Sequence, residues 1–126
     1  MKKIWIVDDD EEMAKAIKLM LKMLDFETQH FLNARTGAQA LLDGGRPDLL
    51  ILDINMPEVS GLDMLEFVRR RPEWNDLPII MLSSEAADVQ VDKALSLGAD
   101  AYAFKPVMID ELEEALNKAF LKHQVK

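Results

Sequence analysis

Short, unbroken apolar runs recur along this chain, and each stops at a residue able to do chemistry. Ile4-Trp5-Ile6-Val7 runs into Asp8-Asp9-Asp10. Leu49 to Leu52 runs into Asp53, and the chain then breaks at Met56-Pro57. Pro78 to Leu82 ends at Ser83-Ser84, and Asp100 to Phe104 ends at Lys105-Pro106. An apolar run this short, closed by a turn signal, reads as a strand buried on both faces.

The segments between the runs have helical period. Met13, Ile17, Met20, Leu21 and Leu24 make one apolar face, with Lys15, Lys18 and Lys22 on the other side. Asp10, Glu11 and Glu12 stand at that helix's positive end, and Asp10 reads as its cap. Asn33 can cap a second helix bearing Ala34, Ala38, Leu41 and Leu42, which Gly44-Gly45 stops. Gly61 opens a third, with Leu62, Leu65 and Val68 inward and Arg69 to Arg71 at its negative end, closed by Arg71-Pro72. A fourth carries Val91, Ala94, Leu95 and Leu97 before Gly98, and Ile109, Leu112, Leu116 and Phe120 line the last. Phe26 to Phe31 alternates more, and its polarity suits a sheet edge.

Strand and helix thus alternate five times. The expected fold is α/β: a doubly wound (βα)5 unit of flavodoxin-like type, with helices on both faces of a parallel sheet. The common strand order is 2-1-3-4-5, which puts the polar second strand on an edge. Length and the absence of any linker or repeat predict one domain over residues 1–126. The net charge of −8 argues against nucleic acid or an anionic membrane as a direct partner. There is no cysteine, and no apolar run reaches the length of a membrane span or a signal peptide. A cytoplasmic protein is expected.

In such a sheet, ligands bind beyond the carboxyl ends of the strands, at the switch point between strands 1 and 3. Asp8, Asp9, Asp53, Ser83 and Lys105 all fall at carboxyl ends. Three clustered carboxylates repel one another and call for a cation, and an all-oxygen set with room for water suits Mg²⁺. A metal beside a carboxylate, a hydroxyl and a lysine can move a phosphoryl group. Asp53, alone on the central strand, is the candidate nucleophile, and an aspartyl phosphate would result.

The chain resembles the receiver domain of bacterial two-component response regulators, in the manner of the single-domain chemotaxis regulators. The matching stretches are Ile6 to Asp10, Leu52 to Pro57, Gly61, Pro78 to Ser84, Gly98 to Tyr102, and Lys105-Pro106. The resemblance implies a phosphoacceptor switch at Asp53. It implies direct Mg²⁺ ligation by Asp9, Asp53 and the Asn55 carbonyl, with Asp8 acting partly through water. Ser83 would bond a phosphoryl oxygen, Lys105 would pair with the phosphoryl group, and the bond to Pro106 would be cis. Tyr102 matches the aromatic that turns inward as Ser83 moves. Asn55 and Glu85 match positions that set the phosphoryl lifetime. The donor would be a histidine kinase or a histidine phosphotransfer protein. An effector would read the face made by helix 4, strand 5 and helix 5. Such a domain assists its own phosphorylation and dephosphorylation and is not an enzyme in the ordinary sense. Val107 and Met108 depart from the family's usual Phe and Asp, and loss of the Asp cap costs around 1 kcal/mol unless Asp110 starts the helix later.

Plainer readings compete. His30 and His123 are expected as exposed surface residues, and the methionines of the first helix as core filler. Asp8 and Asp10 also resemble the D-x-D motif of Mg²⁺-dependent haloacid-dehalogenase-type phosphatases, a reading that leaves Asp53 unexplained. A receiver-like binding scaffold that is never phosphorylated would have no need of the full set of acids, serine and lysine.

Overall fold

A computed structural model describes residues 1–84 and 88–123. The strands are β1 (Lys3–Val7), β2 (Glu27–Phe31), β3 (Leu49–Asp53), β4 (Ile79–Ser83) and β5 (Ala101–Phe104). The helices are α1 (Glu11–Met23), α2 (Ala34–Leu42), α3 (Gly61–Arg69), α4 (Asp88–Ser96) and α5 (Ile109–Lys122). All four strand pairings are parallel, and the order across the sheet is β2-β1-β3-β4-β5. The expected topology is therefore the observed one.

The unbroken apolar runs follow from two cores. Successive strand residues point to opposite faces. Trp5, Val7, Leu50, Leu52, Ile79 and Met81 enter one core, beneath α2 and α3. Ile4, Ile6, Leu49, Ile51, Ile80 and Leu82 enter the other, beneath α1 and α5. Neither parity of the central strands meets water, so neither is polar. β2 lies on the edge, where only Phe31 is buried.

The helices differ from expectation in which side chains they turn inward. In α2 the buried line is Ala34, Gly37 and Leu41. A methyl group on Gly37 would sit 3.1 Å from Val7 and 3.3 Å from Met64, so the helix rides close to the sheet there. Leu42, one step of about 100° past Leu41, is turned out instead of in. Leu95 is likewise exposed beside the buried Ala94. Met13 and Met20 do pack on the core, but Met23 lies two residues past the buried Leu21 and faces solvent.

Several ends are built as the sequence suggests. Asp10 caps α1, accepting from the Met13 amide at 3.1 Å. Asn33 caps α2, accepting from Thr36 at 2.9 Å. Ser60 and Asp63 form a reciprocal capping box on α3. Gly98 has a φ of +108°, the left-handed conformation that suits glycine at a helix C-terminus. A short 3-10 turn at Pro72–Trp74, not anticipated, follows α3 and buries Trp74. Met108 caps α5 with no side-chain hydrogen bond, and the helix still begins at Ile109 rather than later.

Neither histidine is the exposed surface residue expected. His123 is half-buried at the end of α5, with Nε2 2.9 Å from Asp100 Oδ1. Asp100 Oδ2 also accepts from the Ile79 amide and from Arg69, at 2.9 Å each. Arg69 in turn donates to the Gly98 and Leu77 carbonyls. This network joins the ends of α3 and α5 to the amino-terminal edge of the sheet. His30, at the end of β2, has Nε2 2.7 Å from the backbone oxygen of Asp8.

Candidate phosphoacceptor and metal site

The register of the sheet brings the carboxyl ends together. Val7 pairs with Leu52, Asp53 with Leu82, and Ser83 with Phe104. Residues that follow or end these strands therefore crowd one edge. Asp8 is fully buried and Asp53 nearly so, while Asp9 is exposed. One carboxylate oxygen from each of the three lies within 4.8 Å of the others.

Lys105 closes the cluster from the far side of the sheet. Its Nζ is 3.0 Å from Asp8 Oδ2 and 3.3 Å from Asp53 Oδ1. Its own amide donates to the Ser83 carbonyl at 2.8 Å and ties it to the end of β4; the peptide bond to Pro106 is cis. Asp8 Oδ1 accepts from the Asp10 amide at 2.9 Å. Asp53 Oδ1 accepts from the Asn55 amide at 3.3 Å.

Gly61 makes room for the loop after β3. A methyl group there would fall 2.1 Å from the Asp53 carbonyl oxygen, a backbone atom that cannot step aside. With glycine, the amide at 61 instead donates to the Ile54 carbonyl at 3.2 Å. The amino end of α3 is thus drawn against the end of β3.

Three acids against one lysine leave excess negative charge in a buried place. Burial, and next the charge of Asp8, push the Asp53 carboxyl up to about 6, against the opposing pull of Lys105 and the Asn55 amide. Lys105 feels the converse. Burial works against its charge, but the hydrogen bonds and charges of Asp8 and Asp53 outweigh it and raise its pKa. The donor set is all oxygen, one acid is open to solvent, and two are held by partners. That set fits a hard divalent cation such as Mg²⁺, which would relieve the repulsion.

Ser83 is buried at the end of β4. Tyr102, paired with Met81, is half-buried two residues before Phe104, the partner of Ser83. Its hydroxyl is buried and has no hydrogen-bond partner among the described residues. Asn55 is exposed, and its side-chain amide donates to Ser84 Oγ at 3.4 Å. Glu85 lies outside the described residues. Asp10 belongs to the α1 cap and not to the acid cluster. A D-x-D pair in which Asp8 and Asp10 act together is therefore not what the chain forms.

One contact at this edge escaped the sequence reading, the His30 bond to the Asp8 carbonyl. The available signal was position: the last polar residue of a predicted edge strand, one strand from the first acids.

Comparison with known proteins agrees with this geometry. Residues 4–117 match the family described as the response regulator receiver domain. The chain is 36% identical over 118 residues to the chemotaxis protein CheY of Pseudomonas aeruginosa, covering 94% of this chain and 95% of that one. It is 37% identical over 110 residues to the phosphate regulon transcriptional regulatory protein PhoB of Rhizobium meliloti, of which it covers 48%. Among solved structures, a CheY-like receiver domain protein from Methanospirillum hungatei superposes with a TM-score of 0.87 at 27% identity, covering 98% of this chain and 97% of that one. The chain belongs to the response regulator receiver domain family, as a CheY-like signalling switch.

Proposed function

We propose that this chain, over its whole length of 1–126, takes a phosphoryl group onto Asp53 from a phosphohistidine on a histidine kinase or phosphotransfer protein. The observation that carries the reading is the placement of Asp53. It is a nearly buried carboxylate, 3.3 Å from Lys105, within a cluster of three acids.

An Asp53 carboxylate oxygen forms a bond to phosphorus as the donor's P–N bond breaks, and the bonding pair leaves with the donor imidazole. With its carboxyl near 6, Asp53 is mostly ionised at neutral pH and able to attack. Lys105 holds a positive charge beside the nucleophile and offers it to the phosphoryl oxygens. Ser83 supplies a hydroxyl to one of those oxygens. Receiver domains of this family bind Mg²⁺ at an acidic site. Here Asp9, Asp53 and the Asn55 carbonyl would hold the ion directly, with Asp8 partly through water, and the bound ion would supply charge neutralisation at the phosphoryl oxygens.

The output follows from the same contacts. Movement of Ser83 toward the phosphoryl group frees space beside Tyr102, whose hydroxyl has no hydrogen-bond partner among the described residues and so loses little by turning. The face of α4, β5 and α5 is then read by an effector. Asn55 and Glu85 occupy the sequence positions that tune phosphoryl lifetime in the family, and this pair makes the mark short-lived, with loss over minutes rather than hours. No helix among the described residues is long and apolar enough to cross a membrane. By its likeness to CheY-like regulators, the switch acts in the cytoplasm.

Intact mass after incubation with acetyl phosphate and Mg²⁺ tests the reading. Wild type gains the mass of one phosphoryl group, and Asp53→Asn gains none. An unchanged wild type, or equal labelling of the variant, overturns it.

A further inference from the structure

His30 stands outside the cluster of acids yet touches its backbone. Its Nε2 lies 2.7 Å from the Asp8 carbonyl oxygen. A carbonyl only accepts, so Nε2 carries the proton and donates. β1 has already ended at Val7, and the last backbone contact from β2 is the Asp8 amide donating to the Phe31 carbonyl at 3.0 Å. The imidazole therefore extends the β1–β2 ladder by one bond, using a side chain where the strand has run out.

That bond falls at a sensitive point. The Asp8 carbonyl and the Asp9 amide share one planar peptide unit. Fixing the carbonyl fixes the plane, and the plane places the Asp9 Cα from which its side chain projects. The peptide after Asp9 is held by the Asp10 amide bond to Asp8 Oδ1, which leaves the preceding peptide as the other determinant, because Asp9 itself is exposed and its carboxylate makes no hydrogen bond or ion pair among the described residues. Asp8, by contrast, is held through Phe31, Asp10 and Lys105 as well.

We infer that His30 is a positioning residue for the divalent-cation site, acting through the Asp8–Asp9 peptide to preorganise the Asp9 carboxylate. Ligands aimed in advance lose less freedom on binding, and outer contacts of this kind typically change metal affinity about tenfold or more. The inference rests on the metal reading given above.

Isothermal titration of the metal-free chain with Mg²⁺ tests it, alongside urea unfolding in EDTA. His30→Leu weakens Mg²⁺ binding by roughly fivefold to tenfold. His30→Gln, whose amide reaches as far as Nε2 and donates, restores most of it. A merely structural role would lower the urea midpoint of His30→Leu and leave the affinity of the folded chain unchanged. If His30→Leu does not fold, His30→Ala carries the same expectation. Wild-type binding with the Leu or Ala variant within twofold of it overturns this inference alone. Failure of the wild type to bind Mg²⁺ overturns the metal reading and this inference with it.

Discussion

At the scale of single residues, the site is bought at the expense of stability. Asp53 is buried beside Asp8, and its carboxyl is pushed up to about 6 from the ordinary 3.8. A folded-state pKa above the unfolded one means that the folded chain holds the proton more tightly. Its contribution therefore falls as pH rises from 3.8 to about 6, and the penalty is complete above that. The loss is on the order of 2 kcal/mol after allowance for solvent screening. Asp53→Asn, measured in EDTA, should be more stable than wild type at about pH 8 by an amount of that order. The gain should shrink toward nothing at about pH 4. Urea unfolding at the two pH values checks this, and a gain independent of pH would contradict it. Asp53 itself was legible in the sequence because a lone acid ending a four-residue apolar run has no packing role. His30 was not, because a side chain that bonds to a backbone carbonyl on another strand leaves no spacing to read.

At the scale of elements, the strands were easier to read than the helices, for a physical reason. A strand buried on both faces admits apolar residues at every position, so Leu49–Asp53 and Ile79–Ser83 announce themselves. A helix buries one stripe, and its rotation depends on how closely it approaches the sheet. α2 sits close enough for Gly37 to face inward, which leaves Leu42 outside. The start of α5 was legible as a weakness. Met108 offers no side-chain acceptor to the first turn, although Asp110 and Glu111 there suit the helix dipole. Part of Glu111 is committed elsewhere, its Oε2 accepting from the Phe104 amide at 3.3 Å. Met108→Ser should therefore stabilise the chain by about 1 kcal/mol in urea unfolding, with Mg²⁺ affinity unchanged. No gain would mean that another group already satisfies those amides.

At the scale of the whole molecule, five short βα units cooperate to place four side chains that no single unit could bring together. Asp8 and Asp9 follow β1, Asp53 ends β3, and Lys105 follows β5, nearly a hundred residues from the first acid. Parallel register alone aligns these ends, and the strand order leaves a crevice where β1 and β3 meet. The opposite edge is tied by Arg69, Asp100 and His123, so the two ends of the sheet are specialised differently. On the function proposed above, this convergence makes Asp53, and no other group, the phosphoryl acceptor. Borohydride reduces an acyl phosphate on aspartate to homoserine, which marks the residue permanently. After brief reaction with acetyl phosphate and Mg²⁺, then borohydride and peptide sequencing by mass spectrometry, homoserine should appear at position 53 alone. Homoserine at position 8, 9 or 10, or phosphate retained on His30 or His123 with position 53 unmodified, would contradict the account.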